Sequence, residues 1–234
     1  FADGRVIRGD WLEHFTLNVL GDEQANTLDG SNDDNAFFGY GGDDVINTGL
    51  GNNYVDGGDG NDTIKVVSSS AARDYENELI GGKGDDRLEG HAGADSYIYR
   101  RGDGNDVIMD NGRGSNQVDR LVFGEGIELA DISLRKEGSN MVVVVADANN
   151  GEDSQIVIQG ALANSAYRIE KMVFHTGLTV TGDWIENLAR EKLGQESHFE
   201  LLTQSIASFG NDEDSSNVVN TKLIAEIVAI DSSI

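Results

Sequence analysis

The sequence contains no cysteine and no proline, and it is poor in basic residues. Without cysteine, disulfide bonds contribute nothing to the stability of the fold. No apolar run approaches the ~20 residues that a membrane-spanning helix needs. Lys and Arg number 17 against 42 Asp and Glu, so the formal net charge is −25. An acidic surface of this size repels the phosphates of nucleic acids and of anionic lipids, which argues against both as direct partners.

Glycine, by contrast, is abundant, with 30 residues, and much of it falls in a repeated unit of nine residues. The unit recurs through residues 21–65 and again through residues 72–109. Typical copies are GYGGDDVIN at 39–47 and GGDGNDTIK at 57–65. In every copy the sixth residue is Asp or Asn and the eighth is apolar. The sixth residues are Asn26, Asn35, Asp44, Asn53, Asp62, Asn77, Asp86, Asp95 and Asp106.

Each place in the unit has a physical reason. Glycines at places one, two and four permit positive φ angles and a tight turn whose carbonyl groups point inward. The Asp at place six adds a hard carboxylate oxygen, and sites built only from oxygen ligands suit Ca²⁺. The apolar residue at place eight is the inward side chain of a very short strand. The pattern therefore predicts glycine-rich, metal-binding turns joined by short strands.

One unit of this kind has too small a core to fold alone. Ordering its backbone costs roughly 9–18 kcal/mol, at ~1–2 kcal/mol per residue. Burying one aliphatic side chain returns about 1.5–3 kcal/mol, and the hydrogen bonds of the ladder add a modest net amount. We therefore expect cations bound between the turns to supply the missing free energy, so that binding and folding are one event. The alternative interpretation is a series of Gly, Asp and Asn turns without metal.

The nine-residue pattern resembles the GGxGxDxUx nonapeptide of RTX proteins, which forms a calcium-binding parallel β-roll. The resemblance implies that two units make one turn of the roll and that each ion lies between loop n and loop n+2. It makes Asp44 and Asp62, on one edge of the roll, the best candidate site. It stacks Asn26 beneath Asp44 and places Asn35 and Asn53 on the other edge. Further pairs implied in the second block are Asn77 with Asp95 and Asp86 with Asp106.

The resemblance also assigns several Ca²⁺ ions to the loops of these units. Because Asn is a neutral ligand, we expect sites built on Asn26, Asn35, Asn53 or Asn77 to be weaker or empty. The predicted metal-binding residues are Gly39, Gly41, Gly42, Asp44, Gly49, Gly51, Asn53, Gly57, Gly58, Asp59, Gly60, Asp62, Asn77, Gly81, Gly82, Lys83, Gly84, Asp86, Gly90, Ala92, Gly93, Asp95, Gly102, Gly104 and Asp106.

The repeat is interrupted and flanked by segments of different character. Residues 66–71 form a spacer that we expect either to bulge out or to separate two short rolls. Residues 110–186 are rich in β-forming runs split by turn signals, and they resemble the region that follows the repeats in RTX haemolysins and adhesins. We expect this flank to cap the open end of the roll. The expected fold class is all-β: a parallel β-roll, a β-rich cap and a short helical C-terminal tail.

The two ends of the chain complete this organisation. FADGRVIRGDWLEHF at 1–15 aligns without gaps on FHTGLTVTGDWIENL at 174–188, so we interpret residues 1–20 as the end of a preceding capping unit. Residues 187–234 are predicted to form a helical tail, with apolar residues at helical spacing in FELLTQSIASF at 199–209. The tail resembles the C-terminal signal of type I secretion. An ordinary amphipathic helix that packs on the cap is the alternative.

The sequence favours binding over catalysis. It has no HExxH, GxSxG or Walker pattern, its four histidines are scattered, and its carboxylates follow the period of the repeat. The leading hypothesis is a non-enzymatic, secreted calcium-binding module that folds outside the cell and supports type I secretion of a larger exoprotein. A second hypothesis is a calcium-dependent module of a surface adhesin or toxin that binds a host glycan or receptor. An accessory domain of a secreted RTX enzyme is a third.

Overall fold

The computed structural model describes residues 17–67, 75–112, 118–146 and 152–181. These residues form sixteen strands and two short 3-10 helices. The strands are β1 Leu17–Leu20, β2 Thr27–Asp29, β3 Asn35–Phe38, β4 Val45–Asn47, β5 Tyr54–Asp59, β6 Thr63–Lys65, β7 Glu78–Lys83, β8 Arg87–Glu89, β9 Ser96–Tyr99, β10 Asp106–Met109, β11 Arg120–Phe123, β12 Ile132–Glu137, β13 Asn140–Val145, β14 Ser154–Ile158, β15 Lys171–Phe174 and β16 Thr179–Thr181; the 3-10 helices are η1 Leu129–Asp131 and η2 Ser165–Tyr167.

The strands form two eight-stranded sheets that face each other across the core. Sheet A has the order β1-β3-β5-β7-β9-β11-β15-β16, and sheet B has the order β12-β13-β14-β10-β8-β6-β4-β2. From β1 to β11 the chain alternates between the sheets, and the neighbours within each sheet are parallel. Each turn of the coil therefore uses two units. The predicted parallel β-roll is confirmed.

The register keeps equal places of the unit side by side. Phe37 pairs with Val55 in sheet A, and Ile46 pairs with Ile64 in sheet B. Across the spacer, Val55 pairs with Leu79 and the two sheets continue without a break. The sequence separation between stacked residues rises there from 18 to 24. The units on either side of the spacer therefore form one continuous roll, and the alternative of two separate rolls is wrong.

The core lies between the two sheets and consists of the place-eight side chains. Phe37, Ile46, Val55 and Ile64 have no exposed surface. Because successive side chains in a strand point to opposite faces, a three-residue strand offers one residue to the core and two to the outside. Beyond the repeats the same core is completed by large residues of the flank, including Leu121, Phe123, Met141, Ile156, Met172 and Phe174.

The β-rich flank after the repeats continues the roll before it closes it. Strand β14 is parallel to β10, and β15 is parallel to β11, so these two strands add one more turn. Strand β13 then pairs antiparallel with β14, and β12 pairs antiparallel with β13. Strand β16 pairs antiparallel with β15 at the same end of sheet A. The change of strand direction ends the parallel stack. That residues 110–186 act as a cap stays a prediction.

Several predicted segments lie wholly or mostly outside the described residues. They are the preceding unit, described only from Leu17, most of the spacer region, and the helical tail at 187–234. Among the residues that the structure describes, no helix has the length and apolar character required to cross a membrane.

Candidate metal centre

The glycine-rich turns line the two long edges of the roll. The first edge carries the turns that lead from sheet A to sheet B, and the second edge carries those that lead back. The predicted ligands divide between the edges by loop. On the first edge are the loops 39–44, 57–62, 81–86 and 101–106; on the second edge are 48–53, Asn77 and 90–95.

On the first edge the place-six side chains stack in a column. The N–H of Asn26 donates to Asp44 Oδ1 at 2.7 Å, and the N–H of Asp44 donates to Asp62 Oδ1 at 2.8 Å. The N–H of Asp62 donates to Asp86 Oδ1 at 2.7 Å, and that of Asp86 donates to Asp106 Oδ1 at 3.0 Å. The structure thus brings together the predicted partners, and it also joins Asp62 to Asp86. The nine-residue period did not predict this last contact, because the spacer interrupts the period between Asp62 and Asp86.

The second oxygen of three of these carboxylates is buried and unpaired. Asp44 Oδ2, Asp62 Oδ2 and Asp86 Oδ2 are inaccessible to water and accept no hydrogen bond. A buried carboxylate oxygen without a partner costs free energy, and a charged one costs far more than a neutral one. The three oxygens therefore mark positions where a cation would offset that cost.

Glycine at place one leaves room for the unpaired oxygens. A Cβ on Gly39 would collide with both Asp44 Oδ2 and the carbonyl oxygen of Gly57. A Cβ on Gly57 would collide in the same way with Asp62 Oδ2 and the carbonyl oxygen of Gly81. Each of these carboxylate oxygens therefore shares a small space with a main-chain carbonyl of the next turn. Oxygen ligands of these two kinds fit Ca²⁺.

The turn conformation at these sites depends on glycine at places two and four. Gly58 has a φ of 111° and Gly60 a φ of 140°, which side-chain-bearing residues rarely adopt. Tyr40 stands at place two of its unit and still adopts a φ of 73°. The stacking of the turns therefore holds even a tyrosine in the left-handed region, and its ring stays exposed.

The column is electrostatically unfavourable without a cation. Burial raises the pKa of Asp62 to about 6 and that of Asp86 to about 7, and the negative charges of neighbouring carboxylates add to both shifts. Burial and the charge of Asp86 raise the pKa of Asp106 to about 8. The pKa of Asp44 is raised for the same main reason, its burial. Stacked carboxylates thus need either protons or a metal ion to neutralise them.

A second ladder, which sequence reasoning missed, runs along the outside of the first edge. Its members are the place-five residues: Asn61 N–H donates to Asp43 Oδ1 at 2.7 Å, and Asp85 N–H donates to Asn61 Oδ1 at 2.8 Å. Asn105 N–H donates to Asp85 Oδ1 at 2.9 Å. These side chains are exposed to water and paired, so they hold the turns in register. The signal in the sequence was the recurrence of Asp or Asn at place five.

On the second edge, Asn side chains take the place of the stacked carboxylates. Asn35 N–H donates to Asn53 Oδ1 at 3.0 Å, and Asn53 N–H donates to Asn77 Oδ1 at 3.1 Å. The side-chain amide of Asn53 also donates to Asn77 Oδ1 and to the carbonyl oxygens of Leu50 and Gly51. Internal N–H groups therefore occupy oxygens that would otherwise face a metal ion. That the sites at these loops are weak or empty stays a prediction.

Near the C-terminal end of the roll, the second edge carries carboxylates instead of amides. Ligand oxygens of Asp95, Asp110 and Asp119 all lie within 4.8 Å of one another, and the three residues are buried. Tyr97 Oη donates to Asp110 Oδ2 at 2.5 Å, and burial raises the pKa of Asp119 to about 8. Asp119 N–H in turn donates to Glu170 Oε2 at 2.8 Å. Asp110 directly follows the last unit and occupies the place that corresponds to Gly90. Because the nine-residue pattern has no carboxylate at that place, the sequence did not identify Asp110 as a candidate ligand.

The nine-residue repeats match the model of a known family. The family model for the RTX calcium-binding nonapeptide repeat (4 copies) matches residues 20–55, 29–64 and 72–108. No curated protein shows a significant match to the chain. Eleven chains of solved structures match. One is the AlgE6R3 subunit from the Azotobacter vinelandii mannuronan C5-epimerase, at 22% identity and a TM-score of 0.35, with 67% of this chain and 81% of that chain covered.

The raised pKa values predict that the metal-free roll loses stability as pH rises. The folded-state pKa values of Asp62 and Asp106, about 6 and about 8, lie above the ordinary value of 3.8, so the folded chain binds more protons than the unfolded chain. That stabilisation is complete below about pH 4 and is lost progressively as pH rises from about 4 to about 8. In chelator, the melting temperature followed by circular dichroism should therefore fall over this range. A melting temperature in chelator that is constant or rises with pH would contradict this assignment.

A charge-removing substitution within the column should weaken calcium-dependent folding. Asp86→Asn keeps the Oδ1 that accepts from Asp62 N–H but removes the buried negative charge. We expect the calcium concentration at the folding midpoint to rise roughly 10- to 100-fold, the equivalent of about 1.5–3 kcal/mol for an interaction with a charged group. Asp85→Asn is the matched control, since that residue is exposed, and its midpoint should change by about twofold or less. Equal midpoints for the two variants would argue against an ion at Asp86.

Proposed function

Between residues 20 and 108 this chain carries RTX calcium-binding nonapeptide repeats, and we propose that they act as a folding switch that responds to calcium outside the cell. The chain is then largely unfolded where calcium is scarce and takes up the roll where calcium is abundant. It serves as a non-catalytic module of a larger, secreted protein. The acidic residues that the repeat brings together act as ligands in this role.

The observation that carries this proposal is the set of three unpaired, buried oxygens of Asp44, Asp62 and Asp86. In the unfolded chain these carboxylates are hydrated and far apart, so their ionised form costs nothing. In the roll they lie in one column, out of contact with water. The free energy of binding a cation therefore becomes available only on folding, and the two processes are linked.

The ligands on offer come from two successive turns. Asp44 Oδ2 would act with the carbonyl of Gly57, and Asp62 Oδ2 with the carbonyl of Gly81. A bound Ca²⁺ would supply the positive charge that these oxygens lack. The glycines hold the carbonyls in place, and the place-eight side chains fix the distance between turns from the side of the core.

The affinity expected for such sites suits the difference in calcium concentration between the interior and the exterior of the cell. Extracellular calcium modules bind with a Kd of roughly 10⁻⁴–10⁻³ M. At lower calcium concentrations the acidic chain, with its formal net charge of −25, repels itself and stays expanded. An expanded chain suits passage through a type I exporter. The resemblance of the tail at 187–234 to a type I signal supports this route.

Calcium titration tests the folding switch directly. In chelator at pH 8 we expect far-ultraviolet circular dichroism of a largely unfolded chain. Addition of Ca²⁺ in the millimolar range should produce β-structure in a cooperative transition. Mg²⁺ at the same concentrations is the control, because it requires near-ideal octahedral geometry at shorter distances and should not replace Ca²⁺. A β-sheet spectrum in chelator equal to that in calcium would overturn the proposal.

Export can be tested separately from folding. The full chain and a version that ends at residue 186 are expressed in a bacterial host that contains a type I exporter, and the protein in the medium is measured. We expect removal of residues 187–234 to abolish export, and the Asp86→Asn variant of the full chain to be exported like the parent. Undiminished export of the shortened chain would show that the tail carries no signal.

A further inference from the structure

The last turn on the first edge of the roll begins with an arginine. Earlier turns on this edge have glycine at place one, at Gly39, Gly57 and Gly81, whereas the turn at 101–106 begins with Arg101. Places two and four of this turn are still glycines with positive φ angles, of 92° at residue 102 and 109° at residue 104. The turn therefore keeps its usual backbone conformation and carries one additional, cationic side chain.

The guanidinium of Arg101 contacts three oxygen atoms of the flank that follows the repeats. Nη1 donates to the carbonyl oxygen of Ala146 at 2.6 Å, and Nε and Nη2 donate to that of Gly126 at 3.2 and 2.7 Å. Nη2 also donates to Asp131 Oδ2 at 2.8 Å, which makes an ion pair. A guanidinium stays protonated in proteins and presents five donors in a fixed plane. One side chain thus binds two carbonyl groups and one carboxylate.

These acceptors lie at both ends of one hairpin. Gly126 belongs to the turn after β11, Asp131 directly precedes β12, and Ala146 directly follows β13. The three residues are 25, 30 and 45 positions from Arg101 in the sequence. Strands β12 and β13 pair with each other antiparallel and form the end of sheet B. Arg101 therefore joins the two ends of the β12–β13 hairpin to the last turn of the repeats.

Hydrogen bonds within the flank fix the position of Asp131. Its Oδ2 also accepts from the N–H of Glu128 at 3.0 Å, and its carbonyl oxygen accepts from the N–H of Ala146 at 2.8 Å. The side chains of Arg101 and Asp131 are 25% and 28% exposed, so water screens this pair less than a fully exposed one. An ion pair with a fixed partner and further hydrogen bonds loses less free energy to side-chain ordering than an isolated surface pair.

We infer that Arg101 is a built-in cation that fastens the β12–β13 hairpin to the roll without calcium. Carboxylate and main-chain carbonyl oxygens are also what the turns at Asp44 and Asp62 offer to an ion. At the last turn a charge that belongs to the chain satisfies oxygens of these kinds, so the contact does not depend on an ion concentration. The repeats would then be held together by calcium, and the junction with the flank by Arg101.

Hydrogen exchange followed by mass spectrometry tests this contact in the full chain at saturating calcium. Arg101→Gln removes the charge and most of the donors. We expect the amides of β12 and β13 to exchange roughly tenfold faster, the effect of losing a charged hydrogen bond after a discount for its exposure, while those of β4 and β6 keep their rates. Arg101→Lys keeps the charge without the planar fork and should restore only part of the protection. Unchanged exchange of β12 and β13 in Arg101→Gln would overturn the inference.

Asp131→Asn tests the same contact from the side of the flank, and it also decides the matter if Arg101→Gln does not fold. It should speed exchange of the same amides, and the double variant should exchange at most about twofold faster than the faster single variant, because both changes break one contact. Fully additive effects would mean that the two residues act separately. Arg87→Gln is the matched control, since Arg87 pairs with Glu89 of its own strand. An equal effect of Arg87→Gln on β12 and β13 would also refute the inference.

Calcium dependence separates the Arg101 contact from the ion sites. The free energy of unfolding of a chain that binds ions on folding rises with the logarithm of the ion concentration, with a slope set by the number of ions bound. Arg101→Gln should lower this free energy equally at every calcium concentration and leave the slope unchanged, whereas Asp86→Asn should reduce the slope. A reduced slope in Arg101→Gln would show the loss of an ion and contradict the inference. If calcium does not stabilise the parent, the proposed folding switch fails, while the exchange experiment still decides the role of Arg101.

Discussion

The structure depends on one unfavourable interaction, the stacking of buried carboxylates along the first edge of the roll. Asp44, Asp62 and Asp86 each use one oxygen to accept the backbone N–H of the turn before, which ties successive turns together. The other oxygen is left without a partner, and for Asp44 and Asp62 it lies in a space bounded by glycine and a main-chain carbonyl. The same contact therefore builds the roll and leaves a buried carboxylate oxygen that a cation would neutralise. In the function proposed above, this property converts an ion concentration into the presence or absence of structure.

On both edges a place-six side chain accepts the N–H of the neighbouring turn, but the two edges use different chemical groups for this contact. On the first edge, carboxylates stack and need a countercharge, whereas on the second edge the amide of Asn53 fills the space with its own N–H groups. An amide carries both donor and acceptor, so an Asn ladder is complete by itself, and a carboxylate ladder is not. One nine-residue pattern can thus produce metal-dependent and metal-independent edges by exchanging one atom at place six. The acidic cluster of Asp95, Asp110 and Asp119 returns the second edge to the carboxylate type near its end.

The ends of a parallel stack are its weak points, and this chain treats them differently. At the C-terminal end the flank adds one more turn through β14 and β15 and then reverses strand direction. At the N-terminal end of the described roll the first turn is poor in glycine and has the neutral Asn26. Sheet A carries a buried apolar cluster on its outer face (Ala36, Phe38, Tyr54, Ile80 and Ile98), whereas the outer face of sheet B has exposed positions such as Val45.

The period of nine, with Asp or Asn at place six and an apolar residue at place eight, was sufficient to predict glycine-rich turns joined by short strands and the core residues at place eight. These features follow from local chemistry, because φ preferences, side-chain alternation and ligand type repeat with the chain. The β-roll and the pairing of Asp44 with Asp62 were implied by the resemblance of this period to the RTX nonapeptide. The contact of Asp62 with Asp86 across the spacer, the place of Asp110 beside Asp95 and Asp119, and the burial of apolar side chains on the outer face of sheet A do not repeat with the chain. Tertiary structure alone decided them, because each depends on which segments the coil brings together after the period is broken, and a sequence period carries no information about distances across an interruption.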